Sequence, residues 1–210
     1  MLDPHAADLQ RGTGETVRVK VVGFYTLGNG YEAEAAKLRA SLQELAVPHT
    51  LKPFKFDGPD VWKRAVMHKP RFILDQLIAL ETTFDGLIYT DADSILRRPM
   101  PLEQLDGCDV GYCQFRWSPS HTWECLTGTV YFARDPRVAS FISAWASHTI
   151  KWAASDTPEQ FALCDTLREW DQKIVAKKLS SEWCSIHDAP RETGHRPIFE
   201  HYQASRRLKR

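Results

Sequence analysis

Apolar and polar residues alternate from Val17, then run together as Val-Val-Gly-Phe-Tyr to Tyr25. This pattern predicts a first strand over 17–25. It exits through Thr26-Leu27-Gly28-Asn29-Gly30-Tyr31, a turn with two glycines. Ala36, Leu38, Leu42 and Leu45 then recur at helical spacing and predict a helix over 32–46 that Pro48 stops. A second strand is expected over 49–56. Strand, turn, helix and strand form a βαβ unit, which predicts a parallel pair and a right-handed crossover.

Further on, Asp60 stands where it would cap a helix over 61–80, whose later half carries a packing face of Phe72, Ile73, Leu77 and Leu80. Lys69-Pro70 falls mid-helix, so a bend or break is expected there. Leu87-Ile88-Tyr89 reads as a short buried strand, and further strands are expected over 109–115, 126–133 and 172–179. Asp135-Pro136 opens a helix to about residue 150. Asp156, with Glu159 in the capping-box position, opens another. Residues 183–187 and 197–202 complete the fold. Strands alternating with helices indicate an α/β class, with a mixed, mostly parallel sheet flanked by helices.

The stretch Gly86-Leu-Ile-Tyr-Thr-Asp-Ala-Asp-Ser-Ile-Leu-Arg-Arg-Pro carries the most chemistry. Asp91 and Asp93 leave the end of a buried strand two residues apart, aimed at one place if the backbone stays extended. Open α/β sheets hold ligands at the carboxyl ends of their strands. Two converging carboxylates call for a hard divalent ion such as Mg²⁺ or Mn²⁺, which keeps coordination sites for phosphate oxygens. The bland alternative is a pair of acidic turn residues.

Composition narrows the class without choosing a substrate. The 210 residues include 27 Lys plus Arg and 27 Asp plus Glu, so formal net charge is zero and no general attraction to nucleic acid is implied. Basic residues gather at the end, in Ser-Arg-Arg-Leu-Lys-Arg. Residues 1–14 are polar and read as a flexible leader before a single domain over 15–210. They lack the apolar centre of a signal peptide, and no apolar run is long enough to span a bilayer. The five cysteines are odd in number without paired zinc-like spacing, and read as reduced buried thiols of a cytoplasmic protein. Trp117 and Trp123, among polar residues, suit an aromatic-walled binding loop or a packed surface loop. Gly128, inside a strand, marks a close approach of ligand or backbone.

Taken in order, these pieces resemble the GT-A-fold glycosyltransferases that use nucleotide-diphosphate sugars, most closely the retaining group with glycogenin and bacterial lipopolysaccharide galactosyltransferases. The resemblance covers Phe24 to Tyr31, Lys69 through the Asp-Ala-Asp stretch, Leu126-Thr-Gly-Thr-Val-Tyr-Phe, Pro158-Glu-Gln-Phe-Ala-Leu, and His201 with the cations that follow. It implies a metal-dependent transferase moving a sugar from a nucleotide-diphosphate sugar, UDP-linked by family habit, with retention. The implied metal ligands are Asp91, Asp93 and His201, holding Mn²⁺ or Mg²⁺. Thr26, Leu27 and Tyr31 would meet the base and Asp91 the ribose. Lys69 with Arg206 or Arg207 would meet the diphosphate. Gly128 and Thr129 would lie beside the sugar, and Glu159 or Gln160 would contact its hydroxyls or the reacting face. The sequence departs from the pattern at Glu159, where the group has Asp, at Ala204, where it has Gly, and at Arg206 or Arg207, where it has Lys. The acceptor stays open among a glycan, a lipid-linked sugar, a protein and a modified nucleic acid base. Small size and a polar leader suit a bacterial or phage origin.

Two other readings accompany this one. A nucleotidyltransferase acting on a sugar phosphate would use the same carboxylates, but the first turn has no Lys or Arg to cradle phosphate. A nucleotide-sugar-binding module without activity would keep the site and lose the turnover.

Overall fold

In a computed structural model, residues 17–58, 60–116, 123–189 and 193–203 are described. The expected leader, Trp117, Arg206 and Arg207 lie outside them. The elements in chain order are β1 (Val19–Thr26), α1 (Tyr31–Glu44), β2 (His49–Phe54), α2 (Val61–Ile78), β3 (Gly86–Thr90) and β4 (Ser94–Leu96). They continue with β5 (Val110–Phe115), β6 (Glu124–Ala133), α3 (Pro136–Lys151), α4 (Pro158–Glu169), β7 (Ala176–Lys178), β8 (Ser185–Ile186) and β9 (Phe199–His201).

The main sheet has the order β2-β1-β3-β6-β5-β7. β1 pairs parallel with β2 and β3, and β5 with β7, while β6 runs antiparallel to both of its neighbours. The expected βαβ unit is present as β1-α1-β2. A small second sheet, β4-β9-β8, lies at the end of β3, with β4 antiparallel to β9. One continuous core joins the sheet to the helices. Val21, Leu87, Ile88, Val130 and Phe132 fill it from the strands, and Leu38, Ile73, Phe141 and Trp145 from the helices.

Several local expectations are corrected. α1 buries Leu38 and Leu42 as expected and packs Leu45 against the core, but Ala35 and Ser41 complete the inward face and Ala36 is exposed. α2 continues through Pro70 without a break; Lys69 and Pro70 are both buried, and packing holds the helix where the imide alone would interrupt it. Asp60 does precede α2, but in a left-handed conformation (φ 59°) with no side-chain cap. α4 begins after Thr157, without a side-chain cap, so Asp156 and Glu159 form no capping box. The expected strand over 172–179 shrinks to the three residues of β7. Cys125 and Cys164 are joined as a disulfide between β6 and α4, which corrects the reading of five reduced thiols. Cys108, Cys113 and Cys184 are free and buried. No helix among the described residues is long and apolar enough to cross a membrane.

Candidate active site

β3 is buried along its whole length and ends at Thr90. The chain then turns instead of staying extended. Asp91 N–H donates to Gly128 O (2.8 Å), and the Ser94 hydroxyl donates back to Asp91 O (2.8 Å) while contacting Thr90 Oγ1 (2.8 Å). Asp91 and Asp93 therefore converge through a fixed turn, not through strand alternation. Ser94 then pairs with His201 across β4 and β9, and Tyr202 N–H donates to Asp93 O (2.9 Å). Asp91, Asp93 and His201 each offer a ligand atom, all within 4.8 Å of one another.

The donor set fits a divalent ion. His201 is 5% exposed. Burial pulls its imidazole down to about 4, with Asp91 opposing, so it is neutral and keeps a lone pair. Nε2 contacts Thr129 Oγ1 at 2.9 Å, which orients the ring and leaves the other nitrogen for a ligand. Gly128 makes room for that ring. A Cβ there would stand 2.9 Å from His201 Cε1 and 3.1 Å from Cys184 Sγ.

Beside the carboxylates is a buried polar network. Lys69 Nζ, carried inward by α2, is 3.0 Å from Asp91 Oδ1 and 3.7 Å from Glu159 Oε1. It also donates to Thr127 Oγ1 (3.2 Å), and that hydroxyl donates to Glu159 Oε1 (3.2 Å). Burial opposes the Lys69 charge, but Asp91 and Glu159 outweigh it and hold the ammonium above its usual range. Burial raises the Glu159 carboxyl, with Lys69 partly offsetting it. Glu159 Oε2 is buried with no hydrogen-bond partner among the described residues. Tyr89 donates to Asp91 Oδ1 (2.7 Å); burial and that carboxylate push the phenol well above its usual range.

These groups line a cavity of about 470 Å³, which Thr26, Tyr31, Trp62, Gly128, Gln160 and Gln203 also line. Phe24, Tyr25, Tyr31 and Trp62 add aromatic rings to its lining. Most of the expected site residues thus meet in one place. Leu27 is 45% exposed and outside the cavity lining, and Thr129 is buried behind His201. Sequence reasoning missed Tyr89, Thr127 and Trp62. The available signal was position: Tyr89 precedes Asp91 by two, and Thr127 adjoins the glycine already singled out.

No protein-family model matches the chain, and no curated protein does. Among solved structures, it resembles the crystal structure of a glycosyltransferase involved in the glycosylation of the major capsid of PBCV-1. The TM-score is 0.64 at 11% identity, covering 91% of this chain and 98% of that one. The chain shares that structure's fold, a GT-A-like α/β domain with a mixed sheet flanked by helices. In that fold, the Asp91–Asp93 turn and the cavity lie at the carboxyl end of β3, where an open α/β sheet receives its ligand.

Proposed function

We propose that this chain is a metal-dependent glycosyltransferase that moves a sugar from a nucleotide-diphosphate sugar, a UDP-sugar, to an acceptor with retention. The observation that carries the reading is the convergence of Asp91, Asp93 and His201 beside a buried lysine, in a cavity at the carboxyl end of β3. The GT-A-like fold supports it.

Asp91, Asp93 and His201 would hold Mn²⁺ or Mg²⁺, which supplies Lewis-acid stabilisation to the departing diphosphate. Imidazole beside carboxylates favours Mn²⁺. The chain supplies the remainder. Lys69, already charged and fixed, adds positive potential where negative charge develops. Arg206 or Arg207 would add to it. Tyr31, with Thr26 and Leu27, would bind the base, and Asp91 would also meet the ribose. Glu159 Oε2, buried and without a donor among the described residues, is suited to accept from a sugar hydroxyl, with Gln160 alongside. Gly128 would border the sugar, with Thr129 supporting it through His201.

The test is a thermal-shift panel of nucleotide-diphosphate sugars, each with Mn²⁺ and with chelator. A metal-dependent rise with one nucleotide is expected, because a ligand of the folded state stabilises it. A cooperative melt unmoved by every donor would overturn the reading. Release of nucleoside diphosphate rather than pyrophosphate then separates transfer of a sugar from transfer of a nucleotide.

A further inference from the structure

The cavity accounts for a donor but not for what receives the sugar. A second feature stands next to it. Trp123 immediately precedes Glu124, which lines the cavity, and the indole is 50% exposed. Two cations lie against that one ring: Lys178 Nζ at 4.3 Å and the Arg116 guanidinium carbon at 4.8 Å from its centroid. Arg116 follows β5 and Lys178 ends β7, so three neighbouring strands contribute one residue each. Arg116 and Lys178 are exposed, and neither has a carboxylate at ion-pair distance among the described residues.

Two like charges held against one ring repel each other, and the ring's quadrupole offsets only part of that repulsion. The two charges reinforce one positive potential around the ring, and an anion within reach of both lowers it. Guanidinium and ammonium both suit carboxylate or phosphate oxygens. Nucleic acid would require a track of such contacts, and the chain has zero formal net charge.

We infer that Arg116, Trp123 and Lys178 form an acceptor subsite for a saccharide bearing a carboxylate or phosphate group. This rests on the transferase reading above, which makes the neighbouring cavity the donor site. The anionic group anchors the acceptor at the start of β6, while its hydroxyls reach the cavity past Glu124.

The test is an array of matched neutral and acidic oligosaccharides, with a single-stranded oligonucleotide as control, probed without donor and with chelator. Acidic saccharides are expected to bind in preference to neutral ones, with affinity that falls as salt rises. The R116Q/K178Q double variant is expected to lose about tenfold or more in affinity. Both side chains are exposed, so its melting temperature should match that of the wild type. Preference for neutral saccharides or for the oligonucleotide, binding that survives the double variant, or no binding to any acidic saccharide would each overturn the inference. The donor reading is scored separately. The Mn²⁺-dependent shift with a nucleotide-diphosphate sugar should be the same in the double variant, and its absence in both proteins would count against the transferase reading instead.

Discussion

Ser94 and His201 are register partners across β4 and β9, and this pairing carries a histidine from the far end of the chain to the turn that holds Asp91 and Asp93. The candidate metal centre is therefore built by a small second sheet, not by the main one. Asp93→Asn, which keeps the side chain's shape and removes its charge, should abolish the metal-dependent shift and lower donor turnover by about 100-fold or more. The metal-free melting temperature should change little. Near-normal turnover in the folded variant would remove Asp93 from the site.

Gly128 gives a second handle on the same centre. Its substitution by Ala forces a methyl to within 2.9 Å of the His201 ring. A loss of about 1–3 kcal/mol in unfolding free energy is expected from overpacking. Mn²⁺ affinity should fall with it, although residue 128 donates no ligand atom. A Mn²⁺ titration that matches wild type would show that the ring tolerates displacement.

Stability should depend on pH through His201. Its folded value is about 4, below the ordinary value of 6.5, so the unfolded chain binds a proton first as pH falls. Stability from this group is complete above about pH 6.5 and is lost progressively toward pH 4, by up to about 3 kcal/mol. Urea titrations of metal-free wild type and His201→Gln at neutral and acid pH would isolate it. The wild type should lose more. Equal losses would mean that His201 titrates normally.

Lys69 is the only cation that Asp91 and Glu159 share among the described residues. Lys69→Met should cost about 3 kcal/mol, because it leaves the buried Glu159 carboxyl and the part-buried Asp91 without their cation. Adding Glu159→Gln should recover part of that loss. Additive losses in a double-mutant cycle would show that the two residues act independently.

The Cys125–Cys164 disulfide ties β6 to α4 over a separation of 39 residues. Loop-closure entropy predicts a loss of about 3–4 kcal/mol in C125S/C164S. Calorimetry with and without a dithiol reductant should give the same difference in wild type and none in the variant.

The strands and their order of appearance were legible because apolar runs such as Val19–Tyr25 and Leu87–Tyr89 report burial directly. Asp91, Asp93 and His201 were legible as chemistry, although the turn that joins them was not, since it depends on Asp91 N–H donating to Gly128 O and Tyr202 N–H donating to Asp93 O. Glu159 misled for a local reason. Three residues after Asp156 it mimics a capping box, and only the packing of α4 on β6 and α2 shows it facing Lys69. Pro70 misled likewise, because helix propensity takes no account of a buried face. The cysteine pair was invisible to spacing, since a strand and a helix bring it together.

β6 alone runs against the other strands of the main sheet. Thr129 of β6 therefore pairs with Thr90, the last residue of β3, and β6 begins at the rim of the sheet where the Asp91–Asp93 turn leaves it. One reversed strand thus brings the start of one segment and the end of another, far apart in the chain, to a single rim of the sheet.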